Sequence, residues 1–379
     1  MKFRNRFMIM LLLAVIISGN IFTPVMPVYG ANPDTMEVHF LDVGQGDATL
    51  ITCGGHAMLI DAGDDSKGTA IQNYLAKRNI EKLDYLILTH PDADHIGGAP
   101  VIITKFDIDK VFMSNYEKDN KTYRKLIQAL DDNRLRYITP IVGSRYSLGT
   151  AKITILAPNG KYDNPNDASI ACLIQNGNNK FLFTGDAGED AEKDILNNGI
   201  NIAADVYKAG HHGSKYSTST DFLRAVKPES AVISCGEGNS YGHPHAATLN
   251  ALRTSGVEVY RTDEAGTVIA TSDGKKITFN VPASETWQAG EPAQNSKEVE
   301  NAGKETAGSP ASEVKEKPQP SNNVQTAGIT YVLNKNTHKF HVPECSSVDT
   351  IKAKNREDTT MSRDQIIEAG YVPCKRCNP

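Results

Sequence analysis

The segment from Leu83 to Gly98, "LDYLILTHPDADHIGG", carries an apolar run of strand length into His90, Asp92, Asp94 and His95, two histidines and two aspartates within six positions. The run before them lacks glycine and proline and reads as a strand buried on both faces. Polar side chains at the C-terminal end of such a strand face a crevice in α/β proteins. Imidazole and carboxylate together suit zinc, and also manganese or iron. Asp92 and Asp94, side by side, would repel each other without a cation between them. A metal site is therefore the expected use of the segment.

The same placement recurs along the chain. "LIDAG" ends an apolar run at Asp61, "FLFTGD" at Asp186, and "DVYKAGHHGS" at His211 and His212. Strand-like runs alternate with helical patterns from Met36 to about Asn280: "MEVHFLDV", "ATLITC", "AMLIDAG", "DKVFMS", "AKITILAP", "ASIACLIQ", "SAVISC", "VEVYRT", "TVIATS" and "KITFN". "QNGNNK" signals a hairpin. Ile71, Tyr74 and Leu75, and again Tyr123, Leu126, Ile127 and Leu130, line single helix faces. So many strands with interspersed helices predict two sheets covered by helices on the outside.

Six motifs in order, "LDVGQGDATLI", "LIDAG", "LDYLILTHPDADHIGG", "FLFTGD", "KAGHHGSKYSTS" and "YGHPHAATL", resemble the metallo-β-lactamase superfamily. More narrowly they are similar to the hydrolase domain of the ComEC/Rec2 competence-protein family. The resemblance spans about residues 36 to 280 and implies an α/β fold, the αβ/βα sandwich, with a two-metal site on its edge. It implies one divalent ion, Zn²⁺ or Mn²⁺, near His90 and Asp92 and a second near Asp94 and His95. Asp186 would bridge the two and His211 would complete the second site. Asp92 stands where the superfamily usually has a second histidine, and "NDAS" (166–169) carries no histidine at the usual third-motif position. These departures argue against β-lactam hydrolysis.

Two such ions lower the pKa of a shared water and clamp the attacking and leaving oxygens of a phosphodiester. The chemistry expected is attack by a metal-bridging hydroxide. Asp94 and Asp186 would hold the ions, and His212 or His245 would protonate the leaving oxygen. Asp47, Ser214, Lys215 and His243 are the expected contacts to substrate. Asp47 and Asp61 also suit a supporting position that orients a ligand.

With 379 residues and 39% hydrophobic content the chain holds one large domain and something smaller. The net charge of −5 gives no global attraction to polyanions. Residues 1–30 read as a secretory signal, with "MKFRNR" before an apolar core and a cut before Ala31; an uncleaved anchor is the alternative. Residues 31–283 form the hydrolase domain. Residues 284–327, rich in Glu, Lys, Pro, Ser and Ala, read as a disordered linker. Residues 328–379 form a small module that needs a staple to fold.

That staple is His341, Cys345, Cys374 and Cys377, a Cys3His set of the kind that holds one structural Zn²⁺. Disulfide pairing of two of the three cysteines is the alternative. The spacing resembles the zinc-binding module of the Ada DNA-repair protein, with His341 in place of the first of four cysteines. The module holds eight Lys or Arg against six acids, a weak hint of polyanion binding. Cys53, Cys172 and Cys235 lie in apolar runs and read as core thiols.

The function expected is a secreted, metal-dependent phosphodiesterase, a nuclease acting on DNA, either free or associated with the cell surface. Cleavage of wall or lipid phosphoesters, such as phosphocholine or teichoic acid, is the alternative among enzymes. A non-catalytic DNA-uptake binding protein is the alternative outside them. The partners implied are nucleic acid or a cell-wall polymer; no protein partner can be inferred.

Overall fold

The "LDYLIL" run is a central strand because it has two apolar faces to hide. In the computed structural model Tyr85 and Ile87 point into the core between two sheets, while Leu86 and Leu88 pack under the helices on the other side. Each such buried side chain contributes about 1.5–3 kcal/mol.

The structure describes residues 34–290 and, beyond them, 331–335, 337–343, 345, 347–348, 351–359, 366, 371–374 and 377. The signal expected at 1–30 lies outside the described residues. Among those described, no helix is long and apolar enough to cross a membrane. The chain divides into two compact units between residues 300 and 301.

In the larger unit the chain runs β1 (Met36–Phe40), β2 (Thr49–Cys53), β3 (His56–Ile60), α1 (Gly68–Ala76), β4 (Lys82–Leu88), α2 (Ala93–Ile96), α3 (Ala99–Lys105), β5 (Asp107–Met113), α4 (Lys121–Asp132) and β6 (Tyr137–Ile138). It continues with β7 (Arg145–Leu148), β8 (Ala151–Ala157), β9 (Ala171–Asn176), β10 (Asn179–Phe183), α5 (Glu189–Asn197), β11 (Val206–Lys208), α6 (Thr220–Val226), β12 (Ser230–Ile233), α7 (Ala246–Thr254), β13 (Glu258–Arg261), α8 (Thr262–Ala265), β14 (Val268–Ser272) and β15 (Ile277–Phe279).

One sheet has the order β15-β14-β1-β2-β3-β4-β5-β6 and the other β13-β12-β11-β10-β9-β8-β7. Their facing sides share one core, in which Phe40, Ile51 and Phe112 meet Ile155, Phe181 and Val232. The outer faces are covered by α1, α3 and α4 on one side and by α5, α6 and α7 on the other. This is the αβ/βα sandwich expected. Strands β3 to β6 run parallel, as do β10 to β13. The loops leaving β3, β4, β10 and β11 therefore carry the polar motifs out at strand ends of like direction.

The "QNGNNK" hairpin joins β9 to β10 with Asn176 opposite Asn179 and Gly177 at φ 57°. Strands β6 and β7 were not legible in the sequence: one is two residues long, and the other is a polar edge strand. Cys53, Cys172 and Cys235 are buried core thiols.

The start of the expected linker is a correction. Residues 284–290 pack on the larger unit: Ser284 N–H donates to the Val259 carbonyl (2.6 Å), Arg261 Nη1 to the Gln288 carbonyl (2.6 Å) and Gly290 N–H to the Pro244 carbonyl (2.9 Å). Trp287 packs against the outer core of the second sheet, with the Arg253 guanidinium 5.7 Å from its ring centre. A polar composition averaged over the whole segment hides one tryptophan and a few backbone bonds. The remainder, 291–327, lies outside the described residues.

The smaller unit has a sheet in the order β18-β16-β17-β19, from β16 (Tyr331–Asn334), β17 (Lys339–His341), β18 (Arg356–Thr359) and β19 (Val372–Pro373). Tyr331, Leu333, Phe340 and Ile366 cover one face, and Val332, Cys345, Val348 and Cys374 the other.

Trp287→Ala is expected to destabilise the larger unit by about 1 kcal/mol, read from urea unfolding. An unchanged midpoint would mean that the 284–290 strap adds nothing to the fold.

Candidate metal centre

Thr89 and His90 follow directly on β4. Thr89 donates through its backbone N–H to Asp61 Oδ1 (2.8 Å) and through its hydroxyl to Oδ2 (2.7 Å). Asp61 Oδ2 also takes the Nδ1 proton of His95 (2.8 Å). That bond leaves His95 Nε2 as a lone pair aimed into the site, the way a carboxylate orients a metal-ligating histidine. His90 is buried, with Nδ1 3.1 Å from the Thr89 hydroxyl and Nε2 without a hydrogen-bond partner.

Asp94 and His95 share the short helix α2. The "DVGQGD" loop docks against it, with Asp47 N–H donating to the Asp94 carbonyl (3.1 Å). Gly46, at φ 138°, allows the approach, since a Cβ there would stand 2.4 Å from that carbonyl.

Asp186 lies beyond β10, and its backbone N–H donates to Ser169 Oγ (3.1 Å). Ser169 belongs to the "NDAS" segment, so a hydroxyl that supports Asp186 occupies the stretch where no histidine stands. Gly185 before it is at φ 53°, with the Ser169 and Thr89 side chains within 3.0 Å of where a Cβ would be.

His211 and His212 sit in the turn after β11 with φ of 50° and 55°. The left-handed conformation costs a non-glycine residue roughly 1–2 kcal/mol. Such strain collects at functional sites, where surrounding packing holds it in place.

Four imidazoles surround the Asp186 carboxylate. His95 Nε2 lies 3.3 Å from Oδ1; His212, His211 and His90 Nε2 lie 3.4, 3.7 and 3.8 Å from Oδ2. His212 donates Nδ1–H to the Ser234 carbonyl (3.0 Å), and its Nε2 is 3.2 Å from Asp94 Oδ2 and 3.3 Å from His95 Nε2. Two imidazole nitrogens whose rings already donate from the other side thus face each other across 3.3 Å. A shared cation satisfies both, together with buried and unpartnered His90 Nε2 and Asp186 Oδ1. Donor atoms of Asp47, His95, Asp186 and His212 all lie within 4.8 Å of one another. The residues fit a divalent metal centre.

Without metal, protons take that place. Burial favours neutral rings for His95 and His212, yet the Asp186 carboxylate, with Asp61 at His95 and Asp47 at His212, holds both well above the usual histidine value. Burial would raise Asp186, but the two rings hold it well below the usual carboxylate range. Burial and the His95 charge press His90 down to about 4. Burial and the His212 charge press His243 to about 3.

Several expected site residues stand elsewhere than the sequence suggested. His212, not His211, meets Asp94 and His95, although His211, His90 and His212 all approach Asp186 Oδ2. The backbone turn decides which of two adjacent rings points inward. Asp92 accepts from Lys118 Nζ (2.6 Å) and is not among the donors of the tight cluster. Asp47 is buried rather than open to substrate, paired with Lys208 Nζ (2.9 Å) and 3.5 Å from His212 Nδ1. Ser214 is buried too, and its hydroxyl accepts from Tyr216 N–H (3.4 Å).

Lys215 is exposed, with Nζ 5.1 Å from the Tyr216 ring centre. Its backbone N–H donates to His245 Nδ1 (3.1 Å). The His243 ring packs against His211, His212 and His245. Lys208 was missed from sequence; its signal is a lone charge in the apolar strand "VYK".

Residues 41–237 match the family described as the Metallo-beta-lactamase superfamily. The chain belongs to this superfamily. Curated relatives are competence proteins and their kin. ComE operon protein 3 of Bacillus subtilis is 30% identical over 264 residues, covering 65% of this chain and 34% of that protein. Recombination protein 2 of Haemophilus influenzae is 32% identical over 240 residues, covering 62% of this chain and 28% of that protein. The chain thus spans about a third of the length of these relatives. Among solved structures, the metallo-beta-lactamase fold protein YhfI of Bacillus subtilis aligns with a TM-score of 0.44 at 14% identity, over 63% of this chain and all of that one. The superfamily match, not this likeness, makes the fold one of metal-dependent hydrolases.

In the smaller unit the donor atoms of His341, Cys345, Cys374 and Cys377 also lie within 4.8 Å of one another. The three cysteines form no disulfide, and His341 Nε2 is buried without a hydrogen-bond partner. Three thiols and one imidazole at this spacing fit a tetrahedral metal.

Cys374→Ser is expected to lose one equivalent of zinc per chain after dialysis, with the metal content of the superfamily site unchanged. In a chain with Cys374→Ser and Cys377→Ser, zinc uptake at the superfamily site should release protons and tighten as pH rises, because His95 and His212 hold protons at neutral pH when metal-free. Calorimetry in two buffers of different ionisation heat reads the release, and none at pH 7 would contradict the protonation assigned.

Proposed function

We propose that the chain is a secreted two-metal phosphodiesterase that cleaves DNA. The observation that carries this reading is the single buried Asp186 carboxylate shared by two ligand groups. His95 meets its Oδ1, while His90, His211 and His212 meet its Oδ2, and His212 also reaches Asp94. Two divalent ions held there would supply a hydroxide nucleophile at neutral pH and neutralise charge on the phosphoryl oxygens.

The chain's own residues do the rest. Asp61 and the Ser234 carbonyl fix His95 and His212 with Nε2 inward, so neither ring turns as a ligand enters. Lys208 balances Asp47, which keeps a carboxylate behind His212 without leaving a net buried charge. His245 accepts from Lys215 N–H at Nδ1, so the neutral ring carries its proton on Nε2, where it can pass to a leaving oxygen. His243, kept neutral by burial, donates to a phosphate oxygen from beside the same turn.

The relatives' names, competence and recombination, point to processes whose object is DNA, and this supports DNA over other diesters. The cysteine–histidine cluster reads as a structural zinc site that folds the tail module, with nucleic acid or wall polymer as the tail's partner. Secretion rests on the sequence of residues 1–30.

The test is hydrolysis of single- and double-stranded DNA by the full chain, metal-stripped and then reloaded with Zn²⁺ or Mn²⁺, beside bis-(p-nitrophenyl) phosphate. Metal should restore DNA cleavage, and Asp186→Ala should lower it by about 100-fold or more. Full turnover in Asp186→Ala would overturn the site. Cleavage of the small diester alone would move the substrate to wall or lipid phosphoesters.

A further inference from the structure

Tyr241 is 63% exposed, yet its ring lies at the outer end of an aromatic column that reaches the metal centre. It stacks on His243 at 5.6 Å between centroids and 18° between planes. His243 in turn stacks on His212 at 5.9 Å and 29°. One face of the tyrosine is thus covered by His243, and its exposure belongs to the other. A single exposed aromatic ring needs no explanation in general. This one is the solvent-facing layer of a stack whose innermost ring touches Asp94 and Asp186.

The loop that holds it is built to be still. Buried Asn239 accepts from Tyr241 N–H (3.2 Å) and His243 N–H (3.0 Å) on Oδ1, and donates from Nδ2 to the carbonyls of Gly236 (2.8 Å) and His243 (2.6 Å). Gln45, from the "DVGQGD" loop, accepts from Gly236 N–H (3.3 Å) and places its amide nitrogen 3.4 Å from His243 Nδ1. A ring fixed in this way loses little freedom when a flat partner covers it. The second exposed tyrosine of the larger unit's site loops, Tyr216, lies beside Lys215, whose backbone binds His245; the His245 ring is 4.8 Å from His243. The other exposed large apolar residues among those described in this unit, Tyr137, Ile138 and Ile141, belong to β6 and the turn after it.

We infer that Tyr241 is a stacking platform for an unpaired nucleobase next to the phosphodiester held at the metal centre, so that the site prefers single strands. This rests on the phosphodiesterase reading and names what that site selects. A base inside a duplex has both faces covered by its neighbours, whereas an unpaired base can lay one face on the ring at any position along a strand. Stacking on an aromatic side chain is tolerant of sequence because every base offers a π-face. The column therefore selects the strand state and not the sequence.

The test is binding by the full, metal-stripped chain, which cannot cut, of a fluorescent oligothymidylate and of an abasic deoxyribose-phosphate strand of equal length. Oligothymidylate should bind about tenfold more tightly than the abasic strand. Tyr241→Ala should erase that preference while leaving abasic binding unchanged, and Tyr241→Phe should keep it. A preference that survives Tyr241→Ala, or no preference in the parent chain, overturns the platform. Failure of the metal-loaded parent chain to cut any diester, with the preference intact, would remove the nuclease reading and leave the platform. Cutting without a base preference would do the reverse.

Discussion

A carboxylate only 3% exposed and ringed by four imidazoles is the constraint around which the larger unit is organised. Left alone, a buried Asp186 would protonate or pull in water. Held between His95 and His212 it stays ionised, and in return it keeps those rings charged until a metal takes the place of their protons. Three of the four rings are secured from behind by different parts of the chain: His95 by Asp61 after β3, His90 by Thr89 after β4, His212 by the Ser234 carbonyl after β12. Both sheets must be correctly stacked before the site exists. Metal affinity and sandwich packing are thus coupled in one set of contacts.

The cost of that arrangement is visible in the backbone. Asp61, His211 and His212 all adopt positive φ, and Gly46 and Gly185 stand where a Cβ would strike a neighbour. Each of these turns follows a strand that is largely buried along its length, β1, β3, β10 or β11, which holds the turn where it leaves the sheet. Lys208 shows the same logic in charge. A lysine on a buried strand is tolerated because Asp47 meets it, and Asp47 is tolerated beside the metal ligands because Lys208 meets it.

The smaller unit depends on a different device. Among the described residues its two apolar clusters hold four buried side chains each, and a module this small gains from a staple. Cys345 and Cys374 belong both to one of those clusters and to the Cys3His set. A metal held there would share its ligands with the core packing, here through cysteines in place of carboxylates.

Much of this was legible in the sequence because it depends on periodicity and local spacing. The strand before His90, the recurrence of acids and histidines at strand ends, the "QNGNNK" turn and the Cys3His spacing are all short-range patterns, and the motif order carried the superfamily. Tertiary structure alone decided what the same residues face. Neighbours in sequence, His211 and His212 are separated by a turn that sends the His212 ring to Asp94 and leaves His211 against Asp186 and His243. Asp92 meets Lys118, and Asp47 meets Lys208, across sequence separations that no local pattern encodes. Trp287 disappears into the average of a polar segment although its ring has a place to pack. A sequence states which groups are present at a strand end; side-chain direction, burial and pairing follow only when distant strands bring their own groups to the same edge.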